Sequence, residues 1–108
     1  MQIVQKEIDS TNNRSITYGY TLKENDYNLK IEFTVTKNRM ISFHFPAFQM
    51  ETPSYLGFNL LIAKELAIDW NMVNTIHIPR ENNLKDTDRK KLLYAIKAAC
   101  SDLRNHLK

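Results

Sequence analysis

Three histidines, one cysteine and twelve carboxylates are the side chains of this 108-residue chain suited to acid–base, nucleophilic or metal chemistry. The histidines stand at 44, 77 and 106, none of them three or four residues from another soft ligand on a helix. Six positions separate Cys100 from His106, which sets the two on different helical faces. A zinc site needs three or four ligands converging from separate elements, and this spacing offers no such set. Isolated surface or loop histidines are the simpler reading. Cys100 falls on an apolar stripe between Ile96 and Leu103, where a thiol behaves as a small hydrophobe rather than an exposed nucleophile. A Gly-rich phosphate loop, a G-x-S-x-G elbow and an H-E-x-x-H pair are all missing, and two glycines leave the backbone little freedom to close on a cofactor. The expectation is a non-enzymatic chain with no catalytic residue, cofactor or metal. A site assembled from distant residues around His44 or His77 stands as a third reading.

Two helical surfaces offer recognition instead. Between 53 and 70, Tyr55, Leu56, Leu60, Ile62, Ala63, Leu66, Ala67 and Trp70 share one broad apolar arc at 100° per residue. Leu61 and Ile68 fall on a separate side, bordered by Lys64 and Glu65, so the helix is apolar in more than one direction. Such a helix is either sandwiched within its domain or covered by another chain. Leu61, Ile68, Lys64 and Glu65 are therefore candidate partner-binding residues, with a protein partner or a second copy as the cover. The alternative is that the second helix or the segment from Met72 to Ile78 covers them. On that second helix, Lys90, Tyr94, Lys97, Ser101, Arg104 and Lys108 recur at spacings of three and four. Lys90, Tyr94, Lys97, Arg104 and Lys108 are the candidate nucleic-acid contacts, set against the plainer reading of a solvated helix face.

The elements that must carry these residues follow from periodicity. Ile16, Tyr18, Tyr20 and Leu22 alternate with polar residues, as do Tyr27, Leu29, Ile31, Phe33 and Val35, and then Ile41, Phe43 and Phe45. Short Asn/Asp-bearing connections join them as hairpins require. The reading is α+β: a four-stranded antiparallel β-meander (about 2–8, 15–23, 27–36 and 39–46) with two α-helices (about 53–70 and 86–107) packed on one face. Residues 73–79 look extended, a short edge strand stopped by Pro79. The aromatics belong to the covered face. Thr17, Thr21, Lys30, Glu32, Thr34, Ser42 and His44 make a wet face with no ring for a base to stack on.

Size and charge bound the rest. One domain of 1–108 is expected, and 43% hydrophobic with 25% charged residues is ordinary for a folded soluble chain. No apolar run approaches the ~20 residues of a membrane-spanning helix. The first eight residues lack the apolar core of a signal peptide, and a lone cysteine fits a reducing compartment, so a cytoplasmic location without membrane contact is expected. Residues 1–84 hold eight basic and nine acidic side chains, and residues 85–108 hold seven and three, so the net +3 is a property of the last segment. An excess this small permits nucleic-acid binding without demanding it. The leading reading is a non-enzymatic protein-binding module, of the kind that small inhibitor, immunity or accessory proteins represent. Nucleic-acid binding through the C-terminal helix is the alternative.

Overall fold

Apolar–polar alternation gives the three central strands one face to bury, and the chain covers that face with both helices. The computed structural model describes residues 2–10, 14–24, 27–46, 52–78 and 86–107, with side chains described for all of these but 27, 45–46, 52–56, 75–78 and 86–91. The order is β1 (Gln2–Asp9), β2 (Ser15–Glu24), β3 (Tyr27–Thr36), β4 (Ile41–Pro46), α1 (Thr52–Leu66), β5 (Val73–Ile78) and α2 (Asp86–His106). The strands form one sheet in the order β1-β2-β3-β4-β5, antiparallel throughout except for the parallel pair β4 and β5. The α+β class with both helices on one face is as expected. The sheet, however, has five strands and is mixed, not a four-stranded antiparallel meander. A parallel neighbour requires a crossover, and α1 supplies it between β4 and β5.

The covered face holds Tyr18, Tyr20, Leu22, Leu29, Ile31, Phe33, Ile41 and Phe43, all buried. Phe33 and Phe43 sit ring to ring at 5.0 Å, and Tyr20 and Phe58 meet them edge-on at 6.1 and 6.4 Å. From α2 come Leu92, Ala95, Ile96, Ala99, Cys100 and Leu103, and from α1 Phe58, Ile62, Ala63 and Leu66. Each fully buried Leu, Ile or Phe contributes ~1.5–3 kcal/mol, which makes this interdigitated layer the main stabilising element. The opposite face presents Thr17, Thr21, Lys30, Glu32, Thr34, Ser42 and His44 at partial or full exposure, as the alternation requires. Of the strand aromatics assigned to the core, the side chains of Tyr27 and Phe45 lie outside the described residues.

Two turns depart from expectation for local reasons. The helix expected to run to about 70 stops at Leu66, because Ala67 takes a left-handed backbone at φ 56°. The Ile68 amide then donates to the Ala63 carbonyl at 3.0 Å and the Ala67 amide to Lys64 at 3.4 Å, the paired bonds of a Schellman cap. Trp70 accordingly leaves the helix and sits in a short 3₁₀ turn, Trp70–Met72, 56% exposed. Between β3 and β4, a three-residue loop ends in Arg39 at φ 62°, with Arg39 N bonded to Thr36 O and Met40 N to Thr36 Oγ1. The left-handed third residue delays β4 to Ile41, where the sequence suggests about 39.

β1 carries a one-residue irregularity. Ile3 pairs with Leu22 but Gln5 pairs with Thr21, so Val4 is an extra residue. Without it, Ile3 and Ile8 would lie on opposite faces. With it, Ile3, Lys6 and Ile8 all point to the helical side, opposite Leu22, Tyr20 and Tyr18.

Candidate functional site

α1 and α2 lie side by side over the sheet, α2 nearer β1 to β3 and α1 nearer β5. The expected apolar arc of α1 is only partly buried. Leu60 is 51% exposed and Ala67 exposed, while Phe58, which the arc omitted, is buried; the side chains of Tyr55 and Leu56 lie outside the described residues. Gly57, Leu60 and Lys64 face outward, one turn apart. Leu61 and Glu65 turn toward α2, with Glu65 close enough to raise the Cys100 thiol.

Leu61 is met across the seam by Leu93, Tyr94 and Lys97 of α2, and among the described residues these four line a groove of about 480 Å³. Leu61 and Leu93 are half-buried against the core, so the inner part of Leu61 is covered by α2 as the alternative reading had it. Tyr94 is 62% exposed on the outer lip. Lys97 is exposed and lines the groove with it, Lys64 is exposed on the outward row of α1, and Arg104 is exposed farther along the outside of α2. The structure thus brings together Leu61 from one predicted set and Tyr94 and Lys97 from the other. Lys90 and Lys108 have no described side chains.

Ile68 does not belong to this groove. Past the left-handed Ala67 it packs with Val35, Ile41, Leu66 and Leu107 around a void of about 90 Å³. It is the apolar residue that a Schellman cap places against the core, not part of one stripe with Leu61.

A polar cluster escaped the sequence reading. The Tyr20 hydroxyl donates to Asp102 Oδ2 at 2.9 Å, and Lys6 Nζ lies 3.2 Å from the same oxygen. Lys6 Nζ is also 3.1 Å from His106 Nε2; the ammonium has only donors, so the imidazole nitrogen accepts there. His106 in turn lies against the Tyr18 ring at 5.2 Å. Burial alone would raise the Asp102 carboxyl, but the bonds from Tyr20 and Lys6 and the lysine charge outweigh it and hold the group below 3.8. Burial, and then the bond to Asp102, push the Tyr20 phenol well above its usual 10.0. The cluster fastens edge strand β1 to α2. Its only sequence trace is the odd spacing of Ile3 and Ile8 around Lys6.

Cys100 is fully buried, and burial followed by the Glu65 charge pushes its thiol up to about 12, which leaves no reactive thiolate near neutral pH. His44 lies half-buried on the open sheet face, far from the cluster of His106, and the His77 side chain lies outside the described residues. Among the described residues no three His, Cys, Asp or Glu side chains converge as a metal site, and no helix is long and apolar enough to cross a membrane. Comparison of the chain with protein-family models, with characterised proteins and with solved structures gives no match.

Proposed function

We propose that this chain is a non-enzymatic protein-binding module that docks an acidic, amphipathic helical segment of a partner protein in the groove between α1 and α2. The observation that carries the reading is the combination of an apolar seam, Leu61 and Leu93, with an exposed tyrosine and a lysine, Tyr94 and Lys97, on its lip. Aromatic anchors beside small apolar floors are where interface energy concentrates. An amphipathic helix fills a groove between two helices with residues spaced three and four apart. Lys97 favours a carboxylate on the flank of that segment, with Lys64 an exposed cation of the same helical layer, and such charges steer encounter more than they add affinity. A small inhibitor, immunity or accessory role fits this way of acting. A reducing, cytoplasmic setting suits the single cysteine.

The test places a photoreactive phenylalanine at Tyr94 and identifies what it captures in the native lysate. The same label at His44, on the open sheet face, is the control. One partner should be captured at Tyr94 alone, and Tyr94→Ala or Lys97→Glu, both at exposed groove positions, should weaken its binding by roughly tenfold or more, about 1.4 kcal/mol, with the melting temperature unchanged. Specific capture at His44 and none at Tyr94 would overturn the reading. The exposed row of Tyr94, Lys97, Ser101 and Arg104 keeps nucleic acid as the second reading, which capture of RNA or DNA at Tyr94 would favour.

A further inference from the structure

We infer that the pocket between the β3–β4 loop and the turn after α1 binds a free aliphatic α-amino acid in its zwitterionic form. Among the described residues Asn38, Arg39, Ala67, Ile68, Asp69 and Met72 line it, around about 480 Å³, and none of them belongs to the groove between the helices. That volume lies within the ~300–1,000 Å³ usual for small-molecule sites. Both left-handed non-glycine residues, Arg39 and Ala67, stand on its wall. Backbone strain of this kind gathers at ligand clamps. Here each strained turn brings one charge to the pocket: Arg39 itself from the first, and Asp69, two residues past Ala67, from the second.

The two charges are opposite and unused. Arg39 and Asp69 are exposed, and among the described residues their side chains have no hydrogen-bond or ion-pair partner, each other included. Asp69 stands at the N-cap of the 3₁₀ turn, where a carboxylate ordinarily accepts from the backbone, yet its side chain makes no such bond. A ligand with a single charge gains from one of the two and is repelled by the other. An α-amino acid carries both charges: its carboxylate suits the forked guanidinium of Arg39, and its ammonium suits the Asp69 carboxylate.

Exposed ion pairs are worth little singly, so the ligand's side chain must add to them. It has a place behind the charges. Arg39, Ala67 and Ile68 also wall the void of about 90 Å³ that Val35, Ile41, Leu66 and Leu107 line from the core side. Three shared walls make that void the back of the pocket. An apolar cavity of ~150 Å³ holds a benzene ring, so this smaller one suits a branched aliphatic group and not an aromatic one.

The probe is L-leucine, titrated into ¹⁵N-labelled protein. Saturable amide shifts are expected at Arg39, Ala67, Ile68 and Asp69, and not at Tyr94 or Lys97 in the groove between the helices. 4-Methylpentanoate lacks the ammonium, isoamylamine the carboxylate and glycine the aliphatic branch. Each should bind roughly tenfold more weakly or worse, as should L-phenylalanine. Arg39→Asn, which the left-handed turn tolerates, and Asp69→Asn should each weaken leucine by a similar factor while the amides of Phe33 and Ile96 stay in place. No saturable shift at millimolar leucine would overturn the proposal. So would equal affinity for either singly charged analogue, or full binding in both variants. Preference for phenylalanine or glycine over leucine would overturn it too, because the void would then not receive the side chain.

Discussion

Ala67 and Arg39 are the two non-glycine residues with positive φ among the described ones, and each terminates an element. A Cβ in the left-handed region costs roughly 1–2 kcal/mol, which glycine avoids at the expense of a more flexible unfolded chain. Ala67→Gly should therefore stabilise the protein by about 1 kcal/mol, seen as a rise of roughly 4–8 °C in Tm. A fall would show that the cap is not what holds the helix end. Asp102 is the other residue whose removal is informative. Asp102→Ala leaves the Tyr20 hydroxyl without its acceptor and should cost about 1–3 kcal/mol, whereas Tyr20→Phe removes donor and demand together and should cost about 1. Less than additive loss in the double variant, measured by urea unfolding, would establish the coupling. Because the folded Asp102 lies below its unfolded value of 3.8, its contribution is present above that value and is lost as pH falls through the folded one. Stability of Asp102→Asn should accordingly fall less than wild type between neutral pH and the acid limb.

At the scale of elements, β1 is decided by one residue. Val4 is extra in the ladder, so deleting it keeps Ile3 on Leu22 and Lys6 on Tyr20 and merely straightens the strand. The deletion should preserve the fold and the Lys6–Asp102 contact, with Tm within a few degrees of wild type. Deleting Thr21 instead shifts the residues on one side of it to the other face, sending Tyr18 and Tyr20 or Leu22 toward solvent, and should abolish cooperative unfolding. A straightened β1 also presents a flatter edge, so the Val4 deletion should self-associate more readily than wild type, read by sedimentation. α1 shows the converse limit. With apolar residues on nearly every side, its sequence does not fix which face turns inward. The crossover between β4 and β5 fixes it, burying Phe58 and leaving Leu60 out.

Across the whole molecule, Lys97 and Arg104 share the outside of the helical layer with the apolar seam, so salt separates the two readings of function. Among the described residues, Lys97 and Arg104 amount to about two phosphate contacts, for which the logarithm of affinity falls with a slope near −1.8 against the logarithm of salt. Binding to duplex DNA or single-stranded RNA should thus be weak at low salt and absent at physiological salt, by fluorescence anisotropy. Tight binding with a much steeper slope would shift the function to nucleic acid. The sequence by itself determined the buried row from Tyr18 to Leu22, Leu29 to Phe33 and Ile41 to Phe43, though not that the row opens at Ile16, 36% exposed. It also determined that the helices lie on one face and that Cys100 and its neighbours form the stripe of α2. These follow from periods of 2 and 3.6, which are local and need no knowledge of neighbours. Only the tertiary structure decided the parallel pairing of β5, the inward face of α1, the separation of Leu61 from Ile68, and the meeting of Lys6, Tyr20 and Asp102. Each of these depends on contacts between residues distant in the chain, or on a single backbone torsion that redirects everything after it, and neither leaves a periodic trace.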